Sequence, residues 1–144
     1  MDIMNKKTLC IYAGYTPPYN GSNYKTQNVY GSDMNIIRIG ELMANNYNFN
    51  VYIWLFGLQQ SNMELTYNGV HYIDASKLNN FNKQIDIMIV NRYLNYFIHF
   101  KSKAIKTFLY IQDMCPNYMY NGKELSDYGS NVMYNICNNT IIGM

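Results

Sequence analysis

Three short polar groups carry the residue types that can hold a ligand or move a proton: Gly31-Ser32-Asp33, Asn91-Arg92 and Gln112-Asp113. In the first, glycine permits backbone forms and close approaches that a Cβ would block. Ser32 can cap the free amides of a first helical turn, and Asp33 supplies an anion suited to a positive helix end. A purely structural cap accounts for both residues. The functional reading is that Gly31 lets a ligand approach the helix start, where exposed amides attract hydroxyl or phosphate oxygens. Asp33 would repel a phosphate, so a sugar hydroxyl or another neutral acceptor suits the charge better. Arg92 offers a guanidinium either to a ligand or to a structural carboxylate, and Asp113 is open to the same two readings.

Other chemistry is thin. His71 falls within a strand-like run and His99 within an aromatic helical one, and each reads as a packed or surface histidine rather than a catalytic base. The chain has no G-x-G-x-x-G after its first apolar run, no G-x-x-x-x-G-K-[ST] and no G-x-S-x-G. These absences argue against classical dinucleotide binding, P-loop phosphoryl transfer and elbow-serine hydrolysis. No His, Cys and carboxylate set has metal-ligand spacing, so no metal is expected. Cys10, Cys115 and Cys137 are an odd number without C-x-x-C spacing, as reduced and mostly buried thiols would be.

The elements that must position these groups alternate in type. Thr8 to Tyr15 is a short apolar run ending near a glycine, as a buried parallel strand does. Tyr19 to Gly31 has no period and reads as a loop, longer than usual. From Ser32, the positions Ile36, Ile39 with Gly40, Met43 and Tyr47 recur at helical spacing. Asn48 to Phe56 is β-branched and aromatic and completes a βαβ unit. Gly69 to Ser76 alternates after the turn Tyr67-Asn68-Gly69 and predicts a third strand, exposed on one side or at an edge. Asp86 to Val90 predicts a central strand, Tyr93 to Lys103 a short helix, and Lys106 to Met114 a fifth strand stopped by Cys115-Pro116. Glu124 to Cys137 predicts a weaker helix, interrupted by Gly129, and Thr140 to Met144 a sixth strand.

This order predicts an α/β fold: a three-layer α-β-α, Rossmann-like domain with a mostly parallel sheet of about six strands, one domain over residues 1–144. Ligands in such sheets sit at the carboxyl ends of the strands. That rule selects the Tyr15 to Asp33 loop, Asn91-Arg92 and Gln112-Asp113.

Bulk properties narrow the partners. The 144 residues are 49% hydrophobic and 14% charged, enough apolar material for one layered core. A net charge of +2 with scattered basic residues gives no footprint for nucleic acid. No apolar run approaches the roughly 18 residues of a membrane span, and no secretory signal is seen, so a cytoplasmic protein is expected. The triplets beginning at Asn20 and Asn138 then read as chance matches to the glycosylation pattern. Sixteen Tyr and ten Met, with abundant Asn, Ile and Lys, suggest an AT-rich coding genome rather than a function.

With these motifs in place, the chain resembles the N-terminal, acceptor-side half of a GT-B glycosyltransferase. The likeness runs through Thr8 to Tyr15, the loop, the helix opening Gly31-Ser32-Asp33, the strand Phe49 to Trp54, N-G-V-H-Y-I-D, F-N-K-Q-I-D-I-M-I-V-N-R-Y and K-T-F-L-Y-I-Q-D-M. Asp33 stands where Glu is commoner, and Gln112 where His is common. The resemblance implies metal-independent sugar transfer from a nucleotide-sugar to a glycan or protein acceptor, without a bound cofactor and with a homodimer allowed. Asp33 and Asp113 would be catalytic, and Gly31, Ser32, Asp33, Asn91, Arg92 and Gln112 would contact substrate. A second half would hold the nucleotide-sugar, so this chain alone is expected to be inactive. The competing reading is a stand-alone Rossmann- or flavodoxin-like module that binds a ligand or a protein.

Overall fold

The computed structural model describes residues 5–14, 19, 21–22, 29, 31–58, 65–100, 104–110 and 140–143. Its frame is one sheet of seven strands: β1 (Thr8–Gly14), β2 (Asn50–Leu55), β3 (Leu65–Tyr67), β4 (Val70–Asp74), β5 (Ile85–Asn91), β6 (Ala104–Tyr110) and β7 (Thr140–Gly143). They lie in the order β3-β4-β2-β1-β5-β6-β7. All neighbours are parallel except β3 and β4. The chain is therefore α/β with a mostly parallel sheet, a layout compatible with a Rossmann-like domain.

Strand β1 is buried along its whole length, as expected of a central parallel strand covered on both faces. Leu9, Ile11 and Ala13 join a cluster with Val51, Ile53, Leu55, Val70 and Tyr72 from the neighbouring strands. Helix α1 (Gly31–Asn45) covers that face with Ile36 and Ile37. At Gly40 an added Cβ would come within 3.2 Å of Ile53 Cδ1, so the glycine sets how closely the helix lies on the sheet. Cys10 and Tyr12 belong to the opposite cluster, with Trp54, Leu78, Met88 and Tyr96. Helix α2 (Tyr96–His99) and a 3₁₀ turn over Ala75–Asn80 contribute there. Tyr12 packs its ring on Tyr96 at 5.4 Å and Phe100 at 5.1 Å.

Several expectations are corrected. Tyr47 is not on the buried helical face: α1 ends at Asn45 and Tyr47 is 63% exposed. Of the two expectations for β4, one-sided exposure holds, with Val70 and Tyr72 buried and His71 and Ile73 partly exposed, and the edge position does not, because β3 pairs with it. The turn expected at Tyr67-Asn68-Gly69 is present, with Asn68 (φ 50°) and Gly69 (φ 81°) at its centre. Two consecutive positive φ values match the two-residue Asn-Gly hairpin, whose twist suits antiparallel strands. The helix expected over Tyr93 to Lys103 is the single turn of α2, whose Tyr96 ring packs on Tyr12. β6 begins at Ala104, two residues before the expected start. The helix expected over Glu124 to Cys137 lies outside the described residues.

At the carboxyl end of β1, Gly14 has φ 72°, and an added Cβ would collide with the Tyr93 ring. Both the backbone form and the space require glycine. Gly14→Ala is therefore expected to destabilise the fold by roughly 2 to 4 kcal/mol, read as a lower urea midpoint. Unchanged stability would mean that the Tyr93 ring does not sit on this backbone.

Candidate functional site

Strand order reverses beside β1. The chain runs outward through β2 to β4, then returns to place β5 on the other side of β1 and continues outward through β6 and β7. Loops leaving β1 and β5 must diverge at their carboxyl ends, which opens a crevice there.

The end of β5 is built for that position. Asn91 is fully buried and Arg92 has φ 69°. The Tyr93 amide donates to the Asn91 carbonyl at 2.7 Å, closing a three-residue γ-turn around Arg92. A γ-turn with positive φ is rare and strained. The Arg92 amide donates to the Tyr110 carbonyl of β6 at 3.1 Å, which helps hold the turn. Its guanidinium then crosses to α1, where Nη1 donates to Ser32 Oγ at 3.2 Å. Residues 60 positions apart thus meet in the first helical turn.

Asp33 follows at once and is 2% exposed. Burial pushes its carboxyl up from an ordinary 3.8 to about 6, against the opposing pull of the Arg92 charge and the Tyr19 hydroxyl. Tyr19, itself 1% exposed, has its phenol pushed well above the usual value, by burial first and then by Asp33, Tyr72 and Tyr93. Neither the Tyr19 hydroxyl nor Asp33 Oδ1 has a hydrogen-bond partner among the described residues. Each such buried polar atom costs about 1 to 3 kcal/mol relative to a satisfied one.

The structure therefore joins Ser32 to Arg92 by a hydrogen bond and places Asp33 within reach of the Arg92 charge, with Gly31 and Asn91 as their chain neighbours. Gly31 differs from the expected role in one respect. It is the first helical residue, its φ is not in the left-handed region, and an added Cβ would meet nothing within 4 Å among the described residues. Backbone geometry does not demand this glycine; what it leaves is open space at the helix start. Gln112 and Asp113 lie outside the described residues, as do Cys115 and Cys137. Tyr19 and Tyr93 escaped the sequence reading, since single tyrosines carry little signal in a chain that has sixteen.

The remaining candidates do not form a second site. His71 stacks on Tyr52 at 4.7 Å, and its Nδ1 lies 3.1 Å from Thr66 Oγ1. His99 is exposed. The Cys10 thiol is buried beside Trp54 and pushed up to about 12 by desolvation, which leaves it unreactive near neutrality. Among the described residues no group of three or more His, Cys, Asp or Glu could hold a metal ion, and no helix is long and apolar enough to cross a membrane.

Set against known protein families, characterised proteins and solved structures, the chain matches none. The meaning of the site rests on its own geometry, and its main signal is a carboxyl held at a cost.

That cost has a pH signature. The folded chain binds the Asp33 proton more tightly than the unfolded chain does, so stability falls as pH rises from about 4 to about 6. The penalty is complete above that window and absent below it, and is at most on the order of 3 kcal/mol. Asp33→Asn is expected to raise urea stability by about 1 to 3 kcal/mol at pH 8 and to give no gain at pH 4. A variant no more stable at pH 8 would rule out desolvation as the dominant influence on this carboxyl.

Proposed function

We propose that this chain is a three-layer, Rossmann-like domain that forms the acceptor side of a glycosyltransferase cleft. The observation that carries the reading is the meeting of Ser32, Asp33 and Arg92 at the carboxyl ends of β1 and β5, where the strand order reverses. Such crevices are where open α/β sheets take ligands. The raised carboxyl and strained arginine are the perturbed groups expected at a working site rather than in a passive core.

Charge then selects the ligand. At neutral pH Asp33 is ionised and its charge opposes that of Arg92. A phosphate at the helix start would face the carboxylate, whereas a sugar hydroxyl can accept from the half-buried guanidinium without that repulsion. In this reading Arg92 and Ser32 orient the acceptor, while Asp33 and Asp113 are the carboxylates available for proton transfer. Gln112 would be a further substrate contact in this reading, whereas Asn91 has no exposed surface and could act only from behind Arg92. A second domain would bind the nucleotide-sugar, and the acceptor would be a glycan or a protein in the cytoplasm.

A stand-alone protein-binding module is the second reading. It is favoured by the exposed Leu42 and Tyr47 of the α1 region and Leu65 and Tyr67 of β3, elements tied together where Asn45 Nδ2 donates to the Asn68 carbonyl at 2.9 Å.

Calorimetric titration separates the two. Neutral sugars are expected to bind this chain weakly, and Arg92→Gln to lower that affinity about tenfold, the loss of one charged hydrogen bond. Nucleotide-sugars should bind poorly, with no sugar transferred. Transfer at an ordinary enzymatic rate by this chain alone would overturn the acceptor-half assignment, and no sugar binding at all would favour the protein-binding module. At the helix start, Gly31→Ala should leave the fold as stable or slightly more so while weakening sugar binding by blocking approach. Unaltered binding would remove Gly31 from the site.

A further inference from the structure

The hairpin joining β3 to β4 holds a reactive pair remote from the Arg92 corner. Asn68 and Gly69 form its two-residue turn, both with positive φ and both exposed. An asparagine followed by glycine can lose its side-chain amide to its own backbone, because glycine has no Cβ to hinder the attacking nitrogen. The Gly69 nitrogen gives its proton to solvent base and bonds to Asn68 Cγ; the Cγ–Nδ2 bond breaks, and ammonia leaves. Water then opens the cyclic imide at either carbonyl. One product is aspartate, and the other is isoaspartate, in which the main chain runs through the side-chain carbons.

The fold restrains this step. With Asn68 in the left-handed region, its carbonyl oxygen rather than the Gly69 nitrogen lies alongside Cβ, so the peptide unit must rotate before attack. That unit is clasped by α1, where Asn45 Nδ2 donates to the Asn68 carbonyl at 2.9 Å and to the Glu41 carbonyl at 2.8 Å. Because a peptide is planar, holding the carbonyl also holds the nitrogen that would attack. The hairpin itself adds little resistance, since all three residues of β3 are exposed.

We propose that Asn68-Gly69 is a self-modification site, latched by the Asn45 amide, whose conversion to isoaspartate unpairs β3 and bares β4 as the edge of the sheet. A two-residue turn cannot take the extra backbone atom and keep Leu65 opposite Tyr72 and Tyr67 opposite Val70. Aspartate tolerates a left-handed backbone and keeps the hairpin.

The test is prolonged incubation of the folded chain in mildly alkaline buffer, followed by peptide mapping for the mass gained when OH replaces NH₂ and for isoaspartate at position 68. Conversion should occur at Asn68, and Asn45→Ala should hasten it about fivefold, the weight of one hydrogen bond on the opening step. Gly14→Ala, which lowers global stability without touching the hairpin, should leave the rate unchanged. Hydrogen exchange over Val70–Asp74 should quicken in the isoaspartate form and stay native in Asn68→Asp. Absence of conversion at Asn68 even in Asn45→Ala would overturn the proposal, as would equal rates with and without the Asn45 amide. Equal acceleration by Gly14→Ala would place the reaction in the unfolded chain and refute the latch. Unchanged exchange in the isoaspartate form, or exchange quickened as much by Asn68→Asp, would refute the unpairing of β3.

Discussion

All seven residues of β1 are buried, with Leu9, Ile11 and Ala13 in one apolar cluster and Cys10 and Tyr12 in the other. A strand without a wet face must have a strand on each edge and cover on each side. β2 and β5 supply the edges, while α1 and the aromatic residues near α2 supply the cover. Once β5 is fixed beside β1, the turn at Arg92 and the start of α1 have to face each other across the end of the sheet. The Thr8 amide donating to Asp86 Oδ2 at 2.7 Å ties the opposite ends of the same two strands, so their register leaves no freedom to slide.

Two unfavourable features gather at that one end. Arg92 occupies a backbone region that non-glycine residues rarely visit, and Asp33 keeps an acid in a place that disfavours its charge. Strain and desolvation of this kind persist only where the surrounding structure over-determines them. Here the surroundings are strong: a fully buried strand, the Tyr93 ring against Gly14, and the backbone bond from Arg92 to β6. The stable part of the molecule holds the unstable part in place. Substitutions that relieve the corner should therefore separate stability from ligand recognition, as they do in many binding sites.

Much of the frame was legible in the sequence because buried parallel strands announce themselves as continuous apolar runs. β1, β2, β5 and β6 were found that way, each with an end displaced by a residue or two. β3 was missed because three residues, all exposed, have no pattern of their own, although the Asn68-Gly69 turn marked the hairpin that contains it. α2 was overestimated because Tyr93, Tyr96, Phe97 and Phe100 mimic a helical stripe, whereas only one turn is helical and the rest is aromatic packing around Tyr12. Ser32, Asp33 and Arg92 could be chosen from their places at element ends. Their contact could not, since it depends on which strands become neighbours. Tyr19 could not be chosen at all, because its importance comes from burial next to a carboxyl 14 positions away.

The Tyr93 ring lying on Gly14 has a kinetic meaning as well. Positions 14 and 93 meet because β5 lies beside β1, although β2, β3 and β4 separate the two strands along the chain. The bonds from Arg92 to Ser32 and from Asn95 to Tyr12 close loops of similar length. Contacts this remote in sequence are slow to form. The corner is thus a product of the finished fold, and no intermediate built from β1, α1 and β2 alone would display it.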